Sequence, residues 1–303
     1  MAIADGVSDR QEVKERLCMA VQILTDSTSY LSEDIRKKLN IRMVSLSLSF
    51  GKDSMREVDI DNDLFYKMMA LKGIPTSSQP SAGELYNEMI SVVEMGDSLC
   101  CVFLSSDMSG TLATSQIAKE LVLEKYETAK IEIVDSRSNC MQLGFAVIMA
   151  AKAAKAGKTL EQVKEAALEN IKRSRFLFIP ENLEYLKKGG RIGGASALIG
   201  NLFKIIPILT VENGKTSIMT KVRTKKNAVM AMMDKMLQDI SKFGLGEIVV
   251  LHINCLDEAN ELAEEIIEKL RINIDVMDIG PVIGLHVGPG TIGIAYYTDK
   301  VMR

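Results

Sequence analysis

The strongest constraint on this chain is an alternation. Short apolar runs rich in β-branched residues take turns with segments of helical period, which is how parallel strands are joined by helical crossovers. VQILTDS (21–27) reads as a buried strand ending in polar residues, and SEDIRKKLN (32–40) as a helix with Ser32 as its N-cap. MVSLSLSF (43–50) alternates Val44, Leu46, Leu48 and Phe50 against serines, so the spacing predicts one half-buried strand closed by a turn at Gly51, Lys52 and Asp53. Its serine face should be the exposed one. Helical periods follow at 63–72 and 83–95, then a strand at 98–104, a helix at 111–126 and a strand at 130–136. CMQLGFAVIMAAKAAKAG (140–157) is apolar on most faces and is predicted to be a buried helix, followed by an amphipathic one at 159–174.

Around FLFIP (176–180) the pattern changes. PILTVENGKTSIMTKVR (207–223) places Asn213-Gly214 between two apolar runs, a strong hairpin signal. Beyond it lie a long helix (226–242), a strand (247–253), a helix (257–270) and strands at 273–279 and 291–297. Hairpin and βαβ units together imply a mixed sheet. At 303 residues the chain suits two domains. The expectation is therefore an α/β protein with two lobes: an N-terminal extension (1–20), a parallel-sheet α/β domain (21–179) and a mixed-sheet α/β domain (180–303), with a ligand between the lobes.

A net charge of -3 argues against nucleic acid as a general partner. The five cysteines are odd in number and show no CxxC spacing, so neither a disulfide framework nor a thiolate metal site is expected. No segment offers about 18 uninterrupted apolar residues, so stable membrane insertion is not expected and a cytoplasmic location is. With 18 Met and no Trp, the interior should be aliphatic and adaptable, which suits a flexible apolar ligand.

Three hydroxyl clusters interrupt the apolar elements at strand or loop ends: TDSTS (25–29), TSSQPSAGE (76–84) and SSDMSGT (105–111). Hydroxyls cap helices and make turns, and Ser81 and Thr111 suit that role. Ligands of open α/β sheets also bind outside the carboxyl ends of strands, where hydroxyl donors and a helix N-terminus would suit one anionic group. On this reading Asp26, Ser27, Thr76, Ser77, Ser78, Ser109, Gly110 and Thr111 are ligand-binding candidates. His286 in HVGPGTIG precedes a turn where backbone can approach a ligand closely, whereas His252 sits in an apolar strand and reads as a core residue. Two histidines with no matching acidic cluster argue against a histidine metal site. YLKKGGRIGG (185–194) and KVRTKK (221–226) are the basic motifs; neither has the spacing of a phosphate-binding P-loop.

Taken in order, TDS (25–27), TSSQPSAGE (76–84), LSSDMSGT (104–111), VDSRS (134–138), LEYLKKGGRIGG (183–194), PIL with NGK and KVR (207–223), and HVGPGTIG (286–293) resemble the bacterial DegV family. The resemblance implies two α/β lobes enclosing a long-chain fatty acid, no cofactor, and no catalytic residue of the chain's own. It further implies an ATP-dependent fatty acid kinase as partner, to which the chain presents the acyl carboxylate. The head group would be held by Ser77, Ser109 and His286, with adjacent Thr76 as the alternative for the first. Arg191 and Arg223 would lie near the pocket mouth and the partner-docking surface, outside the head-group site. A competing reading makes Ser109 a nucleophile with His286 as base in an esterase or acyltransferase. It would need an acid to orient the histidine and a GxSxG elbow, and SSDMSGT has neither. A phosphate or nucleotide site is the third reading; it lacks a P-loop and an acidic pair.

Overall fold

The computed structural model describes residues 20–198 and 205–302. The 1–20 extension therefore lies outside the described residues, except for Ala20. The protein is a mixed α/β fold with a parallel sheet in its N-terminal half and a mixed sheet in its C-terminal half.

In the N-terminal half, β1 (Val21–Asp26) runs into α1 (Glu33–Leu39), which Ser32 caps as expected. β2 (Ile41–Val44), β3 (Ser47–Phe50) and β4 (Asp53–Arg56) follow, then α2 (Asn62–Lys72), β5 (Thr76–Ser78) and α3 (Ala82–Glu94). Ser81 and Glu84 form a reciprocal capping box on α3. β6 (Ser98–Phe103), α4 (Thr111–Lys125), β7 (Ile131–Asp135), α5 (Cys140–Lys155) and α6 (Leu160–Lys172) complete the run. The order β2-β1-β6-β7 is parallel throughout.

The predicted single strand at 43–50 is two. β2 belongs to the parallel sheet, whereas β3 pairs antiparallel with β4 and β5 in a separate three-stranded sheet. The break falls at Leu46, whose N–H donates to Ser27 Oγ at 3.0 Å and whose carbonyl accepts from the Glu57 N–H at 2.9 Å. Leu46, Leu48 and Phe50 still face inward, but Ser45 at the break is buried with them. Hydrophobic alternation continues across such a break, because a chain changing sheets need not change its period.

The C-terminal half comprises β8 (Ser174–Ile179), α7 (Glu184–Lys188), β9 (Ile206–Glu212), β10 (Lys215–Val222), α8 (Lys225–Phe243), β11 (Glu247–His252), α9 (Leu256–Leu270), β12 (Asp275–Asp278), α10 (Pro281–Val287) and β13 (Ile292–Tyr297). The strand order is β10-β9-β8-β13-β11-β12, with only β11 and β12 parallel. The hairpin is where its sequence placed it: Asn213 and Gly214 both adopt positive φ, as a type I′ turn requires. β8 corrects the expected boundary at 179. Its residues pair with β13 and β9, so 174–179 belongs to the second sheet.

α5 is buried along nearly its whole length and packs against β1 and β6 of one sheet and β8 and β13 of the other. One core cluster accordingly runs through both halves, joining Ile23, Val102 and Leu143 to Phe176, Leu209 and Ile283. Buried Met69, Met89, Met141, Met232, Met233 and Met236 contribute to the aliphatic interior. Among the described residues, no helix is long and apolar enough to cross a membrane.

Candidate functional site

Between the two sheets lies a narrow cavity of about 60 Å³, smaller than the 300–1,000 Å³ common for ligand pockets. Its wall is apolar and comes from both halves. Leu46 and Leu104 lie at the ends of N-terminal strands, Phe176 and Phe178 on β8, Val211 on β9, and Val282 and Ile283 on α10. Phe176 and Phe178 stack with ring centroids 5.0 Å apart. Ser77, Ser78, Gln79, Ser109, Gly110, Asn139, Arg191 and His286 supply the polar lining.

The polar residues converge from sequence positions up to 209 residues apart: Ser77 Oγ lies 3.0 Å from His286 Nε2. Strand alternation decides between the adjacent candidates, because neighbours on β5 face opposite ways. Ser77 faces the histidine and Thr76 is exposed, outside the lining. Ser109 stands just before α4, with its Oγ 2.9 Å from Thr111 Oγ1 and accepting the Thr111 N–H at 3.3 Å. Thr111 is fully buried and holds Ser109 without lining the cavity itself. The N-terminus of this 15-residue helix adds a favourable dipole for an anion beside Ser109.

Asp26 and Ser27, also expected to touch ligand, lie behind the wall. Asp26 accepts hydrogen bonds from the Leu104 N–H at 2.8 Å and the Thr28 N–H at 3.0 Å, tying β1 to the end of β6. Ser27 donates to the Glu57 carboxylate. Both residues therefore fix wall residues, Leu104 and Leu46, rather than line the cavity.

His286 ends α10, a helix the sequence reading missed. Gly280, Gly284 and Gly288 recur there at four-residue spacing, the signal that could have revealed it. A Cβ at these positions would fall 2.4 Å from Tyr30, 1.9 Å from the Tyr66 hydroxyl and 2.4 Å from Tyr185, so three tyrosines pack directly on the bare backbone. A fourth glycine serves the histidine itself. A Cβ on Gly189 would lie 2.1 Å from His286 Nδ1, which explains why the KKGG and HVGPG motifs need each other.

Burial, and secondarily the nearby charge of Arg191, pushes the His286 pKa down from 6.5 to about 4. The ring is therefore neutral at physiological pH. In the Nε2-protonated tautomer it donates to Ser77 Oγ and leaves the serine O–H free to donate to an anion. Its ring signal in the ligand-free protein should not titrate between about pH 5.5 and pH 8, as followed by NMR. A midpoint near 6.5 would refute the buried, neutral ring. Among the described residues, Nδ1 is buried without a partner, and so is the Asn139 side-chain carbonyl. Among the described residues, no acid orients the histidine and its hydroxyl partner is Ser77, so these residues do not assemble the Ser109–His286 dyad of the esterase reading.

Arg191, expected near the pocket mouth, is exposed. It lines the cavity, donating through Nε to the Met108 carbonyl at 3.0 Å and through Nη1 to the Gly189 carbonyl at 2.6 Å. Exposed at the mouth, it joins the loop of Ser109 to that of Gly189. Arg223 is exposed beyond the hairpin and takes no part in the lining. Arg137, from the VDSRS motif, pairs with Asp107 at 2.6 Å and donates to the Asn213 carbonyl, so the hairpin tip clasps the Ser109 loop across the halves. Ser105 Oγ adds a 2.7 Å hydrogen bond to the Gly214 carbonyl. Among the described residues, no three His, Cys, Asp or Glu side chains gather to hold a metal.

Residues 20–299 match the family model of the DegV proteins, a family described as uncharacterised. A DegV domain-containing protein of Clostridium acetobutylicum is 64% identical over 285 residues, covering 94% of this chain and 100% of the relative. Two solved structures superpose with TM-scores of 0.83. One is DegV of Bacillus subtilis, described as a fatty acid binding protein, at 31% identity over 92% of this chain and 99% of that one. The other is a DegV family protein from Thermus thermophilus, described for its fatty acid binding, at 27% identity over 92% and 100%. A stearic acid-binding protein of Eubacterium ventriosum superposes with a TM-score of 0.84 at 25% identity, over 92% and 98% of the two chains.

Proposed function

The chain belongs to the DegV family, and on that premise we propose that it is a cytoplasmic carrier of a long-chain fatty acid whose carboxylate it presents to a partner kinase. One observation carries the reading: a cavity with an apolar wall from both sheets ends in uncharged donors, Ser77, Ser109 and His286, beside a helix N-terminus. A buried carboxylate needs donors, and hydroxyls provide them without the desolvation cost of a second deeply buried charge. Arg191 stays exposed at the mouth, where its charge is solvated and can still attract the carboxylate or a phosphoryl group on it. The aliphatic and aromatic character of the wall suits an acyl tail, and no catalytic group of the chain is required, because the phosphoryl donor belongs to the partner.

The direct test is to denature the purified protein and analyse the organic extract by mass spectrometry. An intact long-chain fatty acid in near-stoichiometric amount is expected. An acyl adduct on Ser109 would instead support the esterase, a released nucleotide the third reading, and an empty extract with no binding of added palmitate would remove the carrier.

Two substitutions separate the parts of the proposal. Ser109→Ala should weaken palmitate binding by about tenfold to a hundredfold, since a hydrogen bond to a charged group contributes roughly 1.5–3 kcal/mol. Unchanged affinity by calorimetry would take Ser109 out of the head-group site. Arg223→Glu should leave the bound lipid unchanged while reducing kinase-dependent acyl-phosphate formation at least about tenfold, because a reversed rim charge acts on encounter rather than on the pocket. Loss of lipid in that variant would sink the docking role.

A further inference from the structure

Glu57 is a carboxylate buried to 4% exposure with no cation bonded to it among the described residues, an arrangement that is costly unless hydrogen bonds to neighbours compensate. Its neighbours provide three. Oε1 accepts from the Val282 N–H at 2.8 Å and from the Tyr30 hydroxyl at 3.0 Å, and Oε2 accepts from Ser27. The Tyr30 oxygen in turn accepts the Ile283 N–H at 3.2 Å and lies 3.2 Å from the Gly280 carbonyl. The first-turn N–H groups of α10, which no helix satisfies internally, are thus taken up by residues more than 220 positions earlier in the chain. Gly280 permits this approach: a Cβ there would sit 3.0 Å from Glu57 Oε1.

Both amides belong to residues of the cavity wall, and α10 delivers His286 one turn later. At its other end the network reaches Leu46, a third wall residue, through Ser27. We infer that Glu57 is a positioning residue: from the N-terminal half it holds α10 where His286 meets Ser77 and where Val282 and Ile283 close the cavity. The inference rests on the carrier reading for its consequence on lipid affinity, but not for its consequence on the histidine.

The test uses the full chain with Glu57→Leu, Glu57→Gln and Tyr30→Phe. Leucine keeps the volume and removes every acceptor, whereas glutamine keeps a carbonyl able to face the Val282 N–H. In the ligand-free folded protein, the ring resonance of His286, assigned with His286→Gln, should shift in Glu57→Leu and stay near its wild-type position in Glu57→Gln. Affinity for palmitate labelled with ¹³C at the carboxyl should fall at least about tenfold in the leucine variant and remain within about threefold in the glutamine variant. General destabilisation would lower the unfolding temperature without moving the histidine of the folded state. An unmoved His286 resonance with wild-type affinity in Glu57→Leu would overturn the inference, as would equal impairment of the leucine and glutamine variants. Should Glu57→Leu fail to fold, Tyr30→Phe decides, since it removes one hydroxyl from the same network; a shifted His286 signal is expected, and an unshifted one overturns the proposal. A wild-type protein that neither carries nor binds palmitate would defeat the carrier reading alone, because the histidine comparison needs no lipid.

Discussion

Octanoate is expected to bind at least about a thousandfold more weakly than palmitate. On the proposed reading both would present the same carboxylate to Ser77, Ser109 and His286, so the difference isolates the tail and the wall built from Leu46, Leu104, Phe176, Phe178 and Val211. Eight methylenes at about 0.8 kcal/mol each give an upper bound near 6 kcal/mol. Ordering a flexible chain cancels part of it, and a thousandfold corresponds to roughly 4 kcal/mol. Titration calorimetry on delipidated protein supplies the measurement. Affinities within about tenfold of each other would mean that the polar end dominates, as it would for a phosphate or nucleotide site. That result would remove the acyl chain as the reason for the cavity.

Raising the pH from about 5 to about 8 should destabilise the wild-type protein substantially more than Glu57→Gln. Burial, opposed by hydrogen bonds from Ser27, Val282 and Tyr30, lifts the Glu57 pKa from 4.5 to about 7, and burial lifts that of Asp26 from 3.8 to about 6. The folded state therefore keeps protons that the unfolded chain has released. Stability from these groups is fully present below the unfolded values and is lost as pH rises through the folded ones. For Glu57 the difference between 4.5 and about 7 corresponds to on the order of 3 kcal/mol at about 1.4 kcal/mol per unit. His286 acts in the opposite sense. Its depressed pKa makes acidification below 6.5 destabilising, so raw pH profiles mix the two signs. The difference between wild type and Glu57→Gln isolates the carboxylate. Urea unfolding at the two pH values measures it, and identical pH dependence in both proteins would show that Glu57 titrates as an ordinary surface acid.

Much of this architecture was legible in the chain. The β-α-β alternation, the buried 140–157 helix, the Asn213-Gly214 hairpin and the caps at Ser32 and Ser81 are all local consequences of periodicity, turn chemistry or capping, and each is present. The candidate site was legible in part. Ser77, Ser78, Ser109, Gly110, Arg191 and His286 line the cavity, whereas Asp26, Ser27, Thr76 and Thr111 do not. Composition and motif could not separate these groups, because a hydroxyl cluster looks the same whether its members face a ligand, cap a turn or stand behind the wall. Glu57 stayed invisible for a related reason: one of the three acids in MREVDIDN reads as solvated surface.

Local chemistry along the chain specifies the set of elements and the pool of hydroxyls at their ends, since both depend on interactions within a few residues. Tertiary packing settles which strands share a sheet, that the chain leaves one sheet after Val44 and enters another at Ser47, and that β8 belongs with the C-terminal strands. It also decided which donors meet. Ser77 reaches His286 because α10 lies against the N-terminal half, with Tyr30, Tyr66 and Tyr185 seated on three of its glycines and Gly189 making room for the ring. Those contacts join residues about 100 to 250 positions apart, within the C-terminal half or across the two halves, and no spacing along the chain encodes a distance closed only by tertiary packing.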